Sequence, residues 1–145
     1  MLLSIIVPVY NEIKTIEKIL IKIDSIDLNC FGMQVIVVDD FSCDGTREYL
    51  KELKGKRPNY IIVFHNTNYG KGRAIKTGLK HVKGRYTIIQ DADLEYDPSD
   101  IPMLLNHARK KNLEVVYGSR RLNKSNNQHS STWFFWGGVI LSLIT

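Results

Sequence analysis

The chain has 145 residues, 43% of them apolar, and carries a formal net charge of +5 with a pI near 9.2. That length suits one domain with a real core, and the mixture of apolar and charged residues excludes a disordered chain. The positive balance suits anionic partners such as nucleotides, nucleic acid or an acidic membrane face, and it suits a solvated surface equally well.

Other classes fall away quickly. No run reaches the ~20 apolar residues of a membrane span, and residues 1–9 lack the basic n-region of a secretory signal. Cys30 and Cys43 have neither metal-ligand spacing nor partners for a disulfide framework, so reduced thiols in a cytosolic protein are the simplest account. His65, His81, His107 and His129 lack ligand-like grouping and read as structural or solvated.

Taken in chain order, residues 2–9 form a short β-branched run that predicts a buried strand. Asn11 is a good N-cap type, and Ile13, Ile16, Leu20 and Ile23 then mark one face of a helix. Residues 35–38 predict a second strand, closed by Asp39 and Asp40. Ser42, Asp44 and Gly45 supply turn and cap chemistry before a helix marked by Tyr49, Leu50 and Leu53. Residues 60–64 predict a third strand, residues 66–72 a polar glycine-containing loop, and residues 74–82 a helix. Residues 86–89 predict a fourth strand that runs into Asp91, Ala92 and Asp93. Pro98 and Ser99 can open a helix carrying Met103, Leu104, Leu105 and Ala108, and residues 113–117 predict a fifth strand.

Strand and helix alternate throughout, which predicts an α/β fold with a mostly parallel sheet and helices on both faces. Ligands of such sheets bind at the carboxyl ends of the strands. Four polar clusters fall there: Tyr10-Asn11-Glu12, Asp39-Asp40, Asp91-Ala92-Asp93 and Ser119-Arg120-Arg121. Residues 122–132 are polar enough to form a mobile loop, and residues 133–145 are strongly apolar.

Asp91 and Asp93, one residue apart behind a buried strand, can share a hard divalent cation that also bridges to phosphate, and Glu95 is near enough in sequence to add a ligand. The same residues suit a turn with solvated acids. Asp40 can accept hydrogen bonds from a base or ribose, or serve a turn. Pro8 and Tyr10 offer a stiff turn and an aromatic to flank a base. The Gly70-Lys71-Gly72-Arg73 segment before a helix can cradle phosphate, although it matches neither established glycine-rich phosphate pattern. Arg120 and Arg121 follow a strand and are placed to meet a diphosphate.

In order and spacing, five segments resemble family 2 glycosyltransferases: Val-Pro-Val-Tyr-Asn-Glu, Val-Val-Asp-Asp-Phe-Ser-Cys-Asp-Gly-Thr, Asn-Tyr-Gly-Lys-Gly-Arg-Ala, Asp-Ala-Asp-Leu-Glu and Gly-Ser-Arg. Within that family the resemblance is to the enzymes that act on dolichyl and bacterial polyprenyl phosphates. It covers nearly the whole chain. It implies a GT-A fold in which Pro8, Tyr10, Glu12, Val38 and Asp40 line the nucleoside pocket. Asp91, Ala92 and Asp93 would meet the diphosphate and its Mg²⁺ or Mn²⁺, with Glu95 as a third metal ligand and Arg120 on the diphosphate. Asp91, Asp93 and Arg120 would carry the chemistry, with Lys71 and Arg73 near the donor.

The resemblance implies inverting transfer of a sugar from a GDP- or UDP-sugar to an acceptor, a lipid phosphate or a glycan, with no nucleic acid partner. It implies a cytoplasmic protein at the cytoplasmic face of a membrane. It divides the chain into a nucleotide-sugar-binding domain, residues 1–121, and a segment 122–145 that starts an acceptor-side, membrane-proximal region continuing further in relatives. The apolar run 133–145 is then expected to fold back on the domain, pair with a second copy, or meet lipid. Two other readings stay open: a nucleotide-sugar binder without catalysis, and a nucleotidyltransferase of similar fold. The second lacks its glycine- and Lys/Arg-rich signature after the first strand.

Overall fold

A computed structural model describes residues 1–28, 31–117 and 139–142. The elements are β1 (Leu2–Val9), α1 (Ile16–Asp24), β2 (Gly32–Asp39), α2 (Thr46–Leu53), β3 (Tyr60–Phe64), α3 (Lys71–Leu79), β4 (Tyr86–Ile89), a 3₁₀ turn (Pro98–Asp100), α4 (Ile101–Lys110), β5 (Val115–Tyr117) and β6 (Val139–Ser142). They build one sheet in the order β3-β2-β1-β4-β6-β5. The first four of these strands are parallel, and β6 runs antiparallel to both β4 and β5.

The α/β fold with a mostly parallel sheet is therefore as expected. Helices cover both faces because alternate strand residues serve two cores. Leu3, Ile5, Val7 and Val9 of β1 and Val35 and Val37 of β2 pack with α1, α2 and α4. Ile6, Ile36 and Val38 turn the other way, onto Ala74 of α3. In α1 the buried residues Ile16, Ile19, Leu20 and Ile23 recur at helical spacing. On the opposite face α3 lies against β1 at Gly78, where a Cβ would stand 2.6 Å from Ile6 Cγ2. Any larger residue there would push the helix off the sheet.

Several boundaries differ from expectation: β2 begins at Gly32 and not at residue 35, β5 at Val115 and not at residue 113, α3 ends at Leu79 and not at residue 82, and two helix starts move. The first helix begins at Ile16, not directly after Asn11. Asn11 adopts left-handed backbone (φ 56°), and residues 11–13 instead hydrogen-bond to the loop after β2. Ile13, assigned by its spacing to the helix face, is consequently 40% exposed. The third helix starts at Lys71, three residues before the expected Ala74, because Gly70 (φ 85°) turns the chain directly into it.

The sixth strand was not expected from the sequence. Residues 139–142 of the apolar run fold back on the domain and pair between β4 and β5. The remainder of that run, the polar loop 122–132, Cys30 and Arg120 and Arg121 lie outside the described residues. No helix among the described residues is long and apolar enough to cross a membrane.

Candidate active site

Three strand ends lie level at one edge of the sheet. Val9 pairs with Asp39, and Asp39 with Phe64. The ladder continues one residue further, with Asp40 N–H donating to the Val9 carbonyl and His65 N–H to the Asp39 carbonyl. Strand β4 leaves the sheet earlier, Gln90 N–H still donating to the Ile6 carbonyl. Asp91, Ala92 and Asp93 follow at once and share with Pro8, Tyr10, Glu12 and Asp40 a cavity of about 290 Å³. Asn68, Gly70, Lys71 and Ala74 close its far side, with Val9 at its base.

Backbone strain collects at this edge. Asn11 and Phe41, each two residues past the end of a parallel strand, and Leu94, in the loop after β4, have φ of 56°, 68° and 65°. Left-handed backbone costs a non-glycine residue about 1–3 kcal/mol, and it persists where surrounding bonds over-determine it. At Asn11 those bonds are visible. Its N–H donates to Ser42 Oγ (2.9 Å), and its Oδ1 accepts from Cys43 N–H (2.9 Å). Glu12 N–H donates to Thr46 Oγ1, and Ile13 N–H to Asp44 Oδ2. Asp44 also accepts from the Thr46 N–H and hydroxyl, so it caps α2 and ties the two loops together. Its burial would raise its pKa, but the bonds from Thr46 and Ile13 outweigh this and hold the carboxyl below its usual value.

The adjacent acids at the end of β2 part company. Asp39 is fully buried, and its Oδ2 accepts from the Arg47 guanidinium at 2.8 Å. The same Arg47 nitrogen donates to the His65 carbonyl, and the guanidinium lies 5.1 Å from the Phe64 ring centre. This pair is internal scaffolding. Asp40 faces the cavity. Its Oδ2 accepts from Gly70 N–H (2.6 Å), its Oδ1 accepts from Tyr69 N–H (3.0 Å), and His65 Nδ1 stands 2.6 Å from Oδ1. An ionised carboxylate only accepts, so Nδ1 carries the hydrogen. The other ring nitrogen lies 2.9 Å from Thr77 Oγ1 on α3. Burial alone would raise the Asp40 pKa, but the Tyr69 N–H, the His65 ring and the Gly70 N–H hold it below its usual value. Asp40 is thus a clasp that fixes the loop 66–70 and the start of α3 against the end of β2.

The acids after β4 are held more lightly. Asp91 Oδ2 is 2.8 Å from Lys71 Nζ; the aspartate side chain is 18% exposed and the lysine 57%. Asp93 Oδ1 accepts from the backbone N–H of Glu95. The ionisable side chains around the cavity are therefore the acids Glu12, Asp40, Asp91 and Asp93 and, among the described residues, the single base Lys71. A diphosphate entering here needs further positive charge. Two carboxylates on one cavity wall are hard oxygen donors, the type that Mg²⁺ and Mn²⁺ take together with phosphate oxygens.

Most of the predicted site residues come together. Pro8, Tyr10, Glu12, Asp40, Asp91, Ala92 and Asp93 all line the cavity. Val38 does not, because its side chain is fully buried with Ile6, Ile36 and Ala74 under α3. Among the described residues no group of three or more His, Cys, Asp or Glu side chains converges as a metal site, and Glu95 is not among the residues lining the cavity. Arg120 falls outside the described residues. The sequence reading had His65 as structural or solvated, and its bonds to Asp40 and Thr77 make it structural, but it named no partner 25 positions away. It also passed over Asn68, although the Asn-Tyr-Gly-Lys-Gly segment that contains it was in view.

Comparison with known proteins adds independent observations. Residues 4–135 match the family described as Glycosyl transferase family 2. A dolichol-phosphate mannosyltransferase of Pyrococcus furiosus is 35% identical over 120 residues, 83% of this chain and 33% of its own. An undecaprenyl-phosphate 4-deoxy-4-formamido-L-arabinose transferase of Edwardsiella ictaluri is 37% identical over 108 residues, 72% of this chain and 33% of its own. An uncharacterized protein of Methanocaldococcus jannaschii is 33% identical over 95% of this chain and 60% of its own. The chain thus spans about a third to three-fifths of the length of these relatives.

Among solved structures, TarS of S. aureus, in complex with UDP-GlcNAc, superposes with a TM-score of 0.64 at 26% identity, over 79% of this chain and 33% of that one. A mannosyltransferase of Pyrobaculum calidifontis, in complex with GDP-Man and Mn²⁺, superposes with a TM-score of 0.73 over 97% of this chain and 44% of its own. At 23% identity the second likeness speaks for the fold, which is GT-A. The chain belongs to glycosyl transferase family 2.

Proposed function

We propose that this chain carries the donor site of an inverting glycosyltransferase that moves a sugar from a GDP- or UDP-sugar to a polyprenyl or dolichyl phosphate. The observation that carries this reading is the single cavity in which Pro8, Tyr10, Glu12 and Asp40 face Lys71, Asp91 and Asp93. Support comes from the relatives whose names specify dolichyl and undecaprenyl phosphate acceptors, and from the neighbours solved with UDP-GlcNAc and with GDP-Man and Mn²⁺.

In this reading Pro8 and Tyr10 flank the base, and the Asp40 clasp fixes the loop that shapes the pocket opposite them. A Mg²⁺ or Mn²⁺ ion on Asp91 and Asp93 would supply electrostatic stabilisation of the departing nucleoside diphosphate. Lys71 adds positive charge at the cavity wall, and Arg120 is proposed as a further contact to the diphosphate. Displacement then occurs at the anomeric carbon from the face opposite the leaving group. A lipid phosphate acceptor is already anionic, so the chain need not supply a general base. Such an acceptor places the protein at the cytoplasmic face of a membrane.

The reading is tested by calorimetry with GDP and UDP, first with Mn²⁺ and then with EDTA. We expect binding of one nucleotide that weakens at least tenfold on chelation, a difference of about 1.4 kcal/mol. Equal affinity in both conditions would remove the metal from the scheme, and no binding of either nucleotide would overturn the donor site.

A further inference from the structure

We propose that Lys71 is a resident counter-ion that a divalent cation must displace from Asp91, so that cation entry and release of Lys71 toward the diphosphate are one coupled event. The proposal rests on the reading of this cavity as a metal-dependent donor site and deepens it. Lys71 Nζ sits 2.8 Å from Asp91 Oδ2, so it already neutralises a carboxylate that a cation would bind. An ammonium group and a divalent cation on one carboxylate repel each other, so binding of one weakens binding of the other.

The two ends of the ion pair are unlike. Asp91 is largely covered and lines a cavity rich in acids, so in the absence of metal it needs a compensating charge. Lys71 is mostly in solvent, so its ion pair is weak and readily exchanged. Its backbone is held nevertheless. The N–H groups of Tyr69 and Gly70, directly before it, are gripped by Asp40. Lys71 is therefore a mobile arm on a fixed base. Once displaced, the ammonium group stays at the cavity wall, where a diphosphate would be the nearest new anion. Cation and nucleotide then strengthen one another's binding partly through Lys71, an effect that must be reciprocal.

The test is Mn²⁺ titration of the full chain, followed by calorimetry, without and with saturating GDP or UDP. Lys71→Met should bind Mn²⁺ alone about two- to tenfold more tightly than the unsubstituted chain, the size expected on removing one charge at ion-pair distance. It should also reduce the factor by which nucleotide tightens Mn²⁺ binding. Lys71→Arg should restore the competition, and Lys76→Met, on the same helix but with no contact to Asp91, should change neither. Unchanged or weaker Mn²⁺ affinity in Lys71→Met would overturn the proposal. If the unsubstituted chain still bound nucleotide with Mn²⁺ in that case, the donor-site reading would survive alone. A chain that bound neither Mn²⁺ nor nucleotide would overturn both.

Discussion

The carboxylates after β2 and those after β4 stand at the same edge of the sheet and serve different ends. Asp39 and Asp40 have their oxygens taken by the protein: Arg47 and Ser42 N–H at the first, and Tyr69, Gly70 and His65 at the second. Asp91 has an exposed lysine, and Asp93 a single N–H two residues on. Acids satisfied from within hold a site in shape. Acids held by groups that can leave are free to exchange them for a ligand. The same local pattern, carboxylates behind a buried strand, thus produces a frame in one place and a docking point in the other.

The sharpest way to break this comparison is on stability. Asp39→Ala leaves the Arg47 guanidinium without its buried partner and should cost about 3 kcal/mol in urea unfolding. Asp40→Asn should cost less, about 1–3 kcal/mol, because the amide presents an NH₂ group to donors that need an acceptor. It should weaken nucleotide binding as well, through the loss of loop order. Asp91→Asn should change stability by less than about 0.5 kcal/mol while abolishing the Mn²⁺ dependence of nucleotide binding. If Asp91→Asn unfolded the protein as readily as Asp39→Ala, the distinction between frame and docking point would be lost.

Acid titration sharpens the Asp40 case. Its pKa is lowered in the folded chain from a usual value of 3.8. A depressed carboxylate contributes stability that is complete above the unfolded pKa and is lost as pH falls through the folded one. The clasp should therefore be intact at neutral pH and should weaken from about pH 4 downward. In urea unfolding repeated between pH 5 and pH 2, Asp40→Asn should lose stability less steeply than the unsubstituted chain. Parallel curves would mean that Asp40 is not held as described.

Much of this was legible in the sequence, for definable reasons. Apolar runs of β-branched residues located β1 to β5, and their polar successors located the site. What failed depended on distance in space. Val38 has the right neighbours in sequence, but strand alternation turns its side chain under α3. His65 carries no local sign of its partner Asp40. Asn11 has an N-cap side chain, yet its bonds to the loop 42–46 outcompete the helix start. Strand β6 was hidden because its four residues, although preceded by Gly137-Gly138, are too short for a period to stand out from the apolar run 133–145.

The position of β6 has a consequence for how the chain assembles. Strands β1 to β4 form the parallel part of the sheet within residues 2–89, with β1 pairing both β2 and the distant β4. Strand β5 reaches the rest of the sheet only through β6. The edge of β4 and both strands beyond it must wait for residues 139–142. Until that late segment docks, β4 presents an open row of N–H and C=O groups, the kind of edge that invites pairing with another chain. Docking of this four-residue strand therefore removes an edge prone to pairing with other chains.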